Sequence, residues 1–349
     1  MDKKYTIFAG PCSAESEAQI FAVAEFFAAK KGAPADAADT PLTAIRAGAW
    51  KPRTRPGCFE GHGEKALEWM QQAQKQYHIP FITEIATTHH IDLCLKHDIQ
   101  HFWIGARSSS NPFLMEEIGR ALEGSPNRVW VKNPISPDLA LWLGGIERIS
   151  RKGKTLVGGI HRGFSMYDSA PYRNAPIWEM AVQFKREMPG VPLLCDPSHI
   201  AGARAYVQEI SQSALDLEMD GFMIEVHPTP ATALSDAKQQ LDFKGFDEWF
   251  AALKFRENTC SSSQIEQMRR LLDEIDNDLI QIVAHRMDLV KKLGKLKKDS
   301  NVSVLQFDRW NKVMERCLNL AEERGLDPDF IKKLMHCIHA EALRLQKEM

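Results

Sequence analysis

The chain has 349 residues, 44% of them hydrophobic and 26% charged, with a formal net charge of −2. This is the composition of a globular protein of about two domains, and its neutrality excludes a global basic field for nucleic acid while still allowing a basic pocket for small anions. The 7 cysteines are scattered, which argues for a reducing cytoplasm, and with neither a signal peptide nor a membrane-length apolar run we expect a cytoplasmic protein with no membrane or nucleic-acid partner.

In chain order, short apolar runs recur at 5–9, 42–47, 80–85, 102–105, 128–131, 155–160, 192–195 and 221–226. Amphipathic helical patterns such as 17–32 and 63–77 separate them. Most runs lack the polar alternation of a half-exposed strand, so they read as parallel strands buried on both faces. Eight strand–helix units in about 250 residues predict a (β/α)8 barrel, with an open doubly wound sheet as the alternative. A polar stretch at 255–264 ends the rhythm. The expected organisation is a barrel domain over 1–255, a linker over 256–262 and an all-α domain over 263–349.

The helical part divides into a long pattern at 263–298 and shorter ones at 306–324 and 328–347. Asp327 is placed to cap the last, with Pro328 at its first position. A helix of 36 residues is ~54 Å long, more than a segment of this size can cover, so the barrel or a partner subunit must help. Arg286 and Lys297 fall about 20° apart in phase on its mostly buried face. Arg309 and Gln346, on the later helices, add polar groups to the same pocket.

Reactive groups in such barrels gather at the C-terminal strand ends. Reading there gives Cys12, then Arg46, Lys51, Arg53 and Thr54, then Glu84, Arg107, Lys132, His161 and Arg162, Asp196 and His199, Glu225 and Asp236. Arg46, Lys51, Arg53, Arg107, Lys132 and Arg162 are cations that converge on one mouth, which suits phosphate and carboxylate ligands. Cys12, His199, Glu225 and Asp236 combine thiolate, imidazole and carboxylate, a donor set for a divalent transition metal.

The segments AGPCSAES (9–16), RAGAWKPRT (46–54), IGARS (104–108), DPSHIAG (196–202) and IEVHP…SDAKQQL (224–241) together resemble the 3-deoxy-D-arabino-heptulosonate-7-phosphate (DAHP) synthase family over roughly residues 5–250. The resemblance implies condensation of phosphoenolpyruvate with erythrose 4-phosphate. It implies that Cys12, His199, Glu225 and Asp236 bind a divalent metal ion such as Mn, Co, Fe or Zn. Arg46, Lys51, Arg107, Lys132 and Arg162 then hold phosphoenolpyruvate, and Arg53 and Thr54 hold the phosphate of the aldose. The proline form of KPRT favours the four-carbon aldose over the sugar of the related octulosonate synthase. Asp196 is expected in the substrate site, and Glu84 or Lys132 to assist proton transfer, with neither preferred. The short N-terminus implies no regulatory extension there.

Arg269, Asp276, Arg286, Lys297, Arg309 and Gln346 resemble the all-helical chorismate mutase family over most of 263–349. The arginines would bind the two carboxylates of chorismate, and Lys297 and Gln346 the ether oxygen whose bond breaks on the way to prephenate. Arg269 would reach into a partner's site, which implies a homodimer. Trp310, Gln306 and Ala342 depart from that family's usual glutamate, aspartate and serine. The alternative is a non-catalytic sensor or a dimerisation module. If the synthase is feedback-controlled, chorismate or prephenate bound to the helical domain is the expected effector.

Overall fold

Each apolar run becomes a strand because each has two faces to bury. In the computed structural model these are β1 (Thr6–Gly10), β2 (Leu42–Arg46), β3 (Phe81–Ile85), β4 (His101–Ile104), β5 (Arg128–Lys132), β6 (Leu156–His161), β7 (Leu193–Cys195) and β8 (Gly221–Glu225). Residues 5–31, 42–52, 57–151, 156–167, 171–255 and 263–348 are described. The strands are parallel and close in sequential order into a barrel, β8 returning to β1 from Thr6↔Gly221 to Gly10↔Glu225.

Successive strand side chains point to opposite faces. One set fills the barrel with a single layer drawn from every strand: Phe8, Ala44, Ile82, Trp103, Trp130, Ile160, Leu194 and Met223. The other set, including Ile7, Ile45, Phe81, Phe102, Val129, Leu193 and Phe222, packs under the surrounding helices. Those helices are α1 (Glu17–Lys31), α2 (Glu64–Tyr77), α3 (Thr88–Lys96), α4 (Ala106–Ser109), α5 (Pro112–Ala121), α6 (Leu139–Ser150), α7 (Trp178–Glu187), α8 (Pro197–Ala201), α9 (Val207–Asp216) and α10 (Phe243–Ala252). Thr87, Asn111, Asp138, Asp196 and Asp242 cap α3, α5, α6, α8 and α10 through their side chains, each cap worth about 1 kcal/mol.

The strand ends differ slightly from the sequence reading. Arg46, Lys132, His161 and Glu225 are the last residues of their strands rather than the first beyond them. Gly10 shows why β1 stops where it does. It has φ +149°, and a Cβ there would lie 2.3 Å from the Arg46 carbonyl oxygen. Only glycine allows that approach, after which the chain turns at Pro11 and presents Cys12.

The chain divides into two units, Met1–Asn258 and Thr259–Met349. The expected linker, 256–262, lies outside the described residues. The second unit consists of α11 (Ser263–Asp299), α12 (Phe307–Glu323) and α13 (Pro328–Lys347). As expected, Asp327 caps α13, accepting from the Phe330 N–H at 2.7 Å. Gly294 on α11 admits α13 closely, since a Cβ there would stand 3.1 Å from Gln346 Cγ. Along α11, Met268, Leu272, Ile275, Leu279, Ile282, Leu289, Leu293 and Leu296 are all exposed. Among the described residues no helix is long and apolar enough to cross a membrane.

Candidate active sites

The C-terminal ends of the barrel strands bring two chemical groups together. The first surrounds Cys12, which is 1% exposed. One ligand atom each from Cys12, Glu225 and Asp236 lies within 4.8 Å of the others. Cys12 Sγ is 3.2 Å from Asp236 Oδ2, and Lys51 Nζ approaches both, at 2.5 and 3.0 Å. Burial pushes the Cys12 thiol up to about 12, Glu225 adding to the push and Lys51 opposing it. Burial also works against the charges of Lys51 and Asp236. Even so, Cys12 and Asp236 hold the Lys51 ammonium above its ordinary range, and Lys51 with His199 holds Asp236 well below its own.

His199 falls outside that cluster of ligand atoms but stands beside it, with Nδ1 3.8 Å from Glu225 Oε1. Its Nδ1 is 3.0 and 2.9 Å from the two Asp196 oxygens, and burial pushes the imidazole down to about 4. A neutral ring that donates Nδ1–H to a carboxylate keeps its Nε2 lone pair for a metal, the usual arrangement of a metal-binding histidine. Glu225 Oε1 is buried without a hydrogen bond among the described residues, Arg46 Nη2 lying 3.2 Å away. A thiol, a carboxylate oxygen with no hydrogen bond, a second carboxylate and an imidazole of suitable tautomer fit a divalent transition ion.

The second group is cationic. Arg46 is 1% exposed, and its Nε and Nη1 are buried with no hydrogen-bond partner among the described residues. An unpaired buried guanidinium face is costly unless an anion satisfies it. Lys132 Nζ donates to Asp196 Oδ2 at 2.6 Å; burial draws this ammonium down while Asp196 resists. Burial lowers Arg162 to about 10, with Asp196 opposing and Arg173 and Arg107 contributing. A cavity of about 490 Å³ opens beside these side chains, lined by Lys51, Arg107, Arg162, Arg173, His199 and Asp236, among others. Glu84, Lys132 and His199 border a smaller adjoining recess. Glu84 Oε2 accepts from the Trp103 indole N–H at 3.0 Å, which orients the carboxyl. Asp196 is turned wholly to Lys132 and His199. Arg53 and Thr54 lie outside the described residues.

Among the described residues of the helical unit, Arg286 Nη1, His339 Nε2 and Gln346 Oε1 are buried polar atoms with no hydrogen-bond partner. Lys297 Nζ is fixed by the Val304 carbonyl at 2.7 Å. Burial, and then the charges of Arg286, His336 and Lys297, lower the His339 imidazole, so these side chains share one electrostatic neighbourhood. Trp310 stacks on His339, centroids 3.8 Å apart and planes 14° from parallel. Arg309 is exposed. Arg269 is also exposed and pairs with Glu266 on its own helix at 2.6 Å. Within one chain it does not join Arg286.

The profile of the DAHP synthetase I family matches residues 1–258. The chain belongs to this family. Residues 268–347 match the chorismate mutase type II profile, so a DAHP synthase barrel and a chorismate mutase segment share one polypeptide. A Thermotoga maritima protein, phospho-2-dehydro-3-deoxyheptonate aldolase, is 33% identical over 252 residues, 72% of this chain and 69% of its own length. A crystal structure of that DAHP synthase superposes with a TM-score of 0.61 at 28% identity, covering 78% of this chain and 71% of the other. The helical segment is similar to a 4-amino-4-deoxychorismate mutase of Streptomyces venezuelae, 29% identical over 84 residues, 24% of this chain and 82% of the relative.

The DAHP synthase barrel also contains site residues that strand-end reading missed. Asn133 Oδ1 accepts from the Arg162 N–H at 2.7 Å. Gln240 Oε1 accepts from the Cys12 N–H at 2.9 Å. Arg173, Asn174 and Gln239 surround the acidic side chains, and His339 stands beside Arg286 in the mutase segment. The glutamine pair of SDAKQQL was visible in the sequence; the loop residues Arg173 and Asn174 carried no periodic signal.

Proposed function

We propose that the barrel condenses phosphoenolpyruvate with erythrose 4-phosphate, giving DAHP and inorganic phosphate, and that the helical unit rearranges chorismate to prephenate. The observation that carries the first half is the cluster of Cys12, Glu225 and Asp236 bordering a cavity lined by Lys51, Arg107 and Arg162. The chemistry a divalent ion supplies when bound is Lewis-acid polarisation of an aldehyde carbonyl. Cys12, His199, Glu225 and Asp236 would hold it.

The protein's own groups do the rest. Arg46, Lys132, Arg107 and Arg162 clamp the phosphate and carboxylate of the enol phosphate and fix C3 within reach of the aldehyde carbon. C3 attacks that carbon, water adds at C2 and phosphate leaves. Lys132 and Glu84 stand in the recess where protons must move. Lys132 is the better shuttle, since burial already lowers its hold on the proton. The mutase reading rests on Arg286 Nη1, a buried donor with no partner among the described residues, in one electrostatic neighbourhood with Lys297 and His339. These donors would stabilise charge that grows at the ether oxygen, with no covalent step. The Gln346 amide N–H donates to the Ala342 carbonyl at 3.2 Å and must turn to join them.

The exposed apolar stripe of α11 makes the active species a homodimer, in which Arg269 of one copy reaches the other's site. Prephenate or chorismate bound to the helical unit restrains the synthase. The test is to assay the full chain for both activities beside Cys12→Ala. The variant should lose bound metal and condensation while keeping mutase turnover. Normal metal content and condensation in the variant would refute the ligand assignment.

A further inference from the structure

The side chains behind the acidic ligands form an unbroken hydrogen-bonded path. Arg173 lies in the segment between β6 and α7, and Gln239 three residues past Asp236. Arg173 Nη1 donates to Asp236 Oδ1 at 3.0 Å and to Gln239 Oε1 at 2.9 Å. Gln239 Nε2 donates to Glu225 Oε2 at 2.7 Å. The path fixes the amide: flipping it would set a carbonyl against a carboxylate and an N–H2 against a guanidinium. Each carboxylate therefore has one oxygen held from behind. The other two, Asp236 Oδ2 and Glu225 Oε1, remain on the Cys12 side, the first 3.2 Å from Sγ and 3.0 Å from Lys51 Nζ, the second with no hydrogen bond among the described residues and Arg46 Nη2 3.2 Å away.

The base of this brace is itself held. The Arg173 N–H donates to the Ile200 and Ala201 carbonyls at 3.1 and 3.2 Å. Asn174 Oδ1 accepts from Arg162 Nη1 at 2.8 Å, and its Nδ2 donates to the His199 carbonyl at 2.7 Å. One two-residue step thus touches α8 beside His199, the Arg162 side chain and Asp236, and reaches Glu225 through Gln239. An ion pair at a half-exposed arginine is ordinarily worth little. Here one Nη1 serves two acceptors, and Gln239 is 1% exposed, so the contact is directional and its glutamine end is enclosed.

We propose that Arg173 and Gln239 are positioning residues of the metal centre, setting which oxygen of Asp236 and of Glu225 faces the ion. This rests on Cys12, His199, Glu225 and Asp236 being the ligands. Outer partners of metal ligands typically contribute 10–100-fold in affinity. The experiment is titration of the metal-free full chain with Co2+, followed by its d–d bands and thiolate charge-transfer band. Arg173→Met, at a half-exposed side chain, should weaken binding by roughly 10–100-fold and shift the d–d bands. Arg173→Lys should recover most of the affinity, and Gln239→Met should repeat the loss from the other end of the path. Wild-type affinity and spectrum in both Arg173→Met and Gln239→Met would overturn the brace. If the wild-type chain gives no charge-transfer band and Cys12→Ala binds Co2+ unchanged, the ligand reading fails instead.

Discussion

Lys297 is the residue on which the mutase reading turns. Its ammonium is held by the Val304 carbonyl, and in the proposed reaction it would meet charge that exists only in the transition state. Lys297→Ala should cut kcat by roughly 100–1000-fold with a much smaller change in KM, read from chorismate loss. Near-normal turnover would leave the helical unit a sensor. His161 makes a different prediction. It is fully buried, 0% exposed, among Trp142, Phe164 and Trp178. Burial pushes its imidazole from 6.5 to about 4, the Pro176 carbonyl resisting. The unfolded chain therefore binds a proton that the folded chain refuses between those values, and stability present above pH 6.5 is lost as pH falls toward 4. The loss is of order 3 kcal/mol. His161→Phe should flatten that slope in urea titrations at a series of pH values; an unchanged difference from wild type would refute it. The same scale shows what sequence could not supply. Cys12, Arg46 and Glu225 were legible as strand-end residues because each lies at, or just past, the end of an apolar strand run. Arg173 and Asn174 lie in an aperiodic segment, and their meaning depends on which loops converge there. Trp310 was legible only as a departure, since its stacking partner His339 lies 29 residues away along the chain.

At the scale of elements, periodicity carried most of the fold. Strands buried on both faces leave continuous apolar runs, and the last of the three C-terminal helices was bounded by a visible cap residue, Asp327. The long helix held more than its length suggested. Met268, Leu272, Ile275, Leu279, Ile282, Leu289, Leu293 and Leu296 follow alternating steps of three and four, with Arg286 completing the one gap. That is the 3.5-residue repeat of a paired helix seam. Ile275 is 60% and Leu279 51% exposed, a state that water penalises by roughly 1–3 kcal/mol per large side chain. Ile275→Glu with Leu279→Glu should shift the full chain from dimer to monomer in analytical ultracentrifugation. It should also depress mutase activity, because Arg269 would lose the partner it serves, while condensation by the barrel survives. A variant that stays dimeric would place the interface elsewhere.

For the whole molecule, the question is what the two activities gain from one polypeptide. A dicarboxylate in the helical unit can restrain the barrel only if it binds two arrangements of the chain with different affinity, and a coupling of about 1–3 kcal/mol is enough. Prephenate should slow condensation by the full chain, and Arg286→Ala should abolish that slowing without changing the uninhibited rate. A full chain indifferent to prephenate would leave dimerisation as the reason for the fusion. Closure of the barrel has a consequence of its own. Cys12 follows the first strand and Glu225 ends the last, and only the pairing of β1 with β8 makes them neighbours. An ion shared by those two residues would clip the beginning of the barrel to its end, as a buckle closes a belt. Folding and metal loading are then one equilibrium. At 100 times its dissociation constant an ion adds about 2.7 kcal/mol to the folded state, so chelation should lower the barrel's melting temperature, and in a metal-starved cell the newly made chain would linger open along that join.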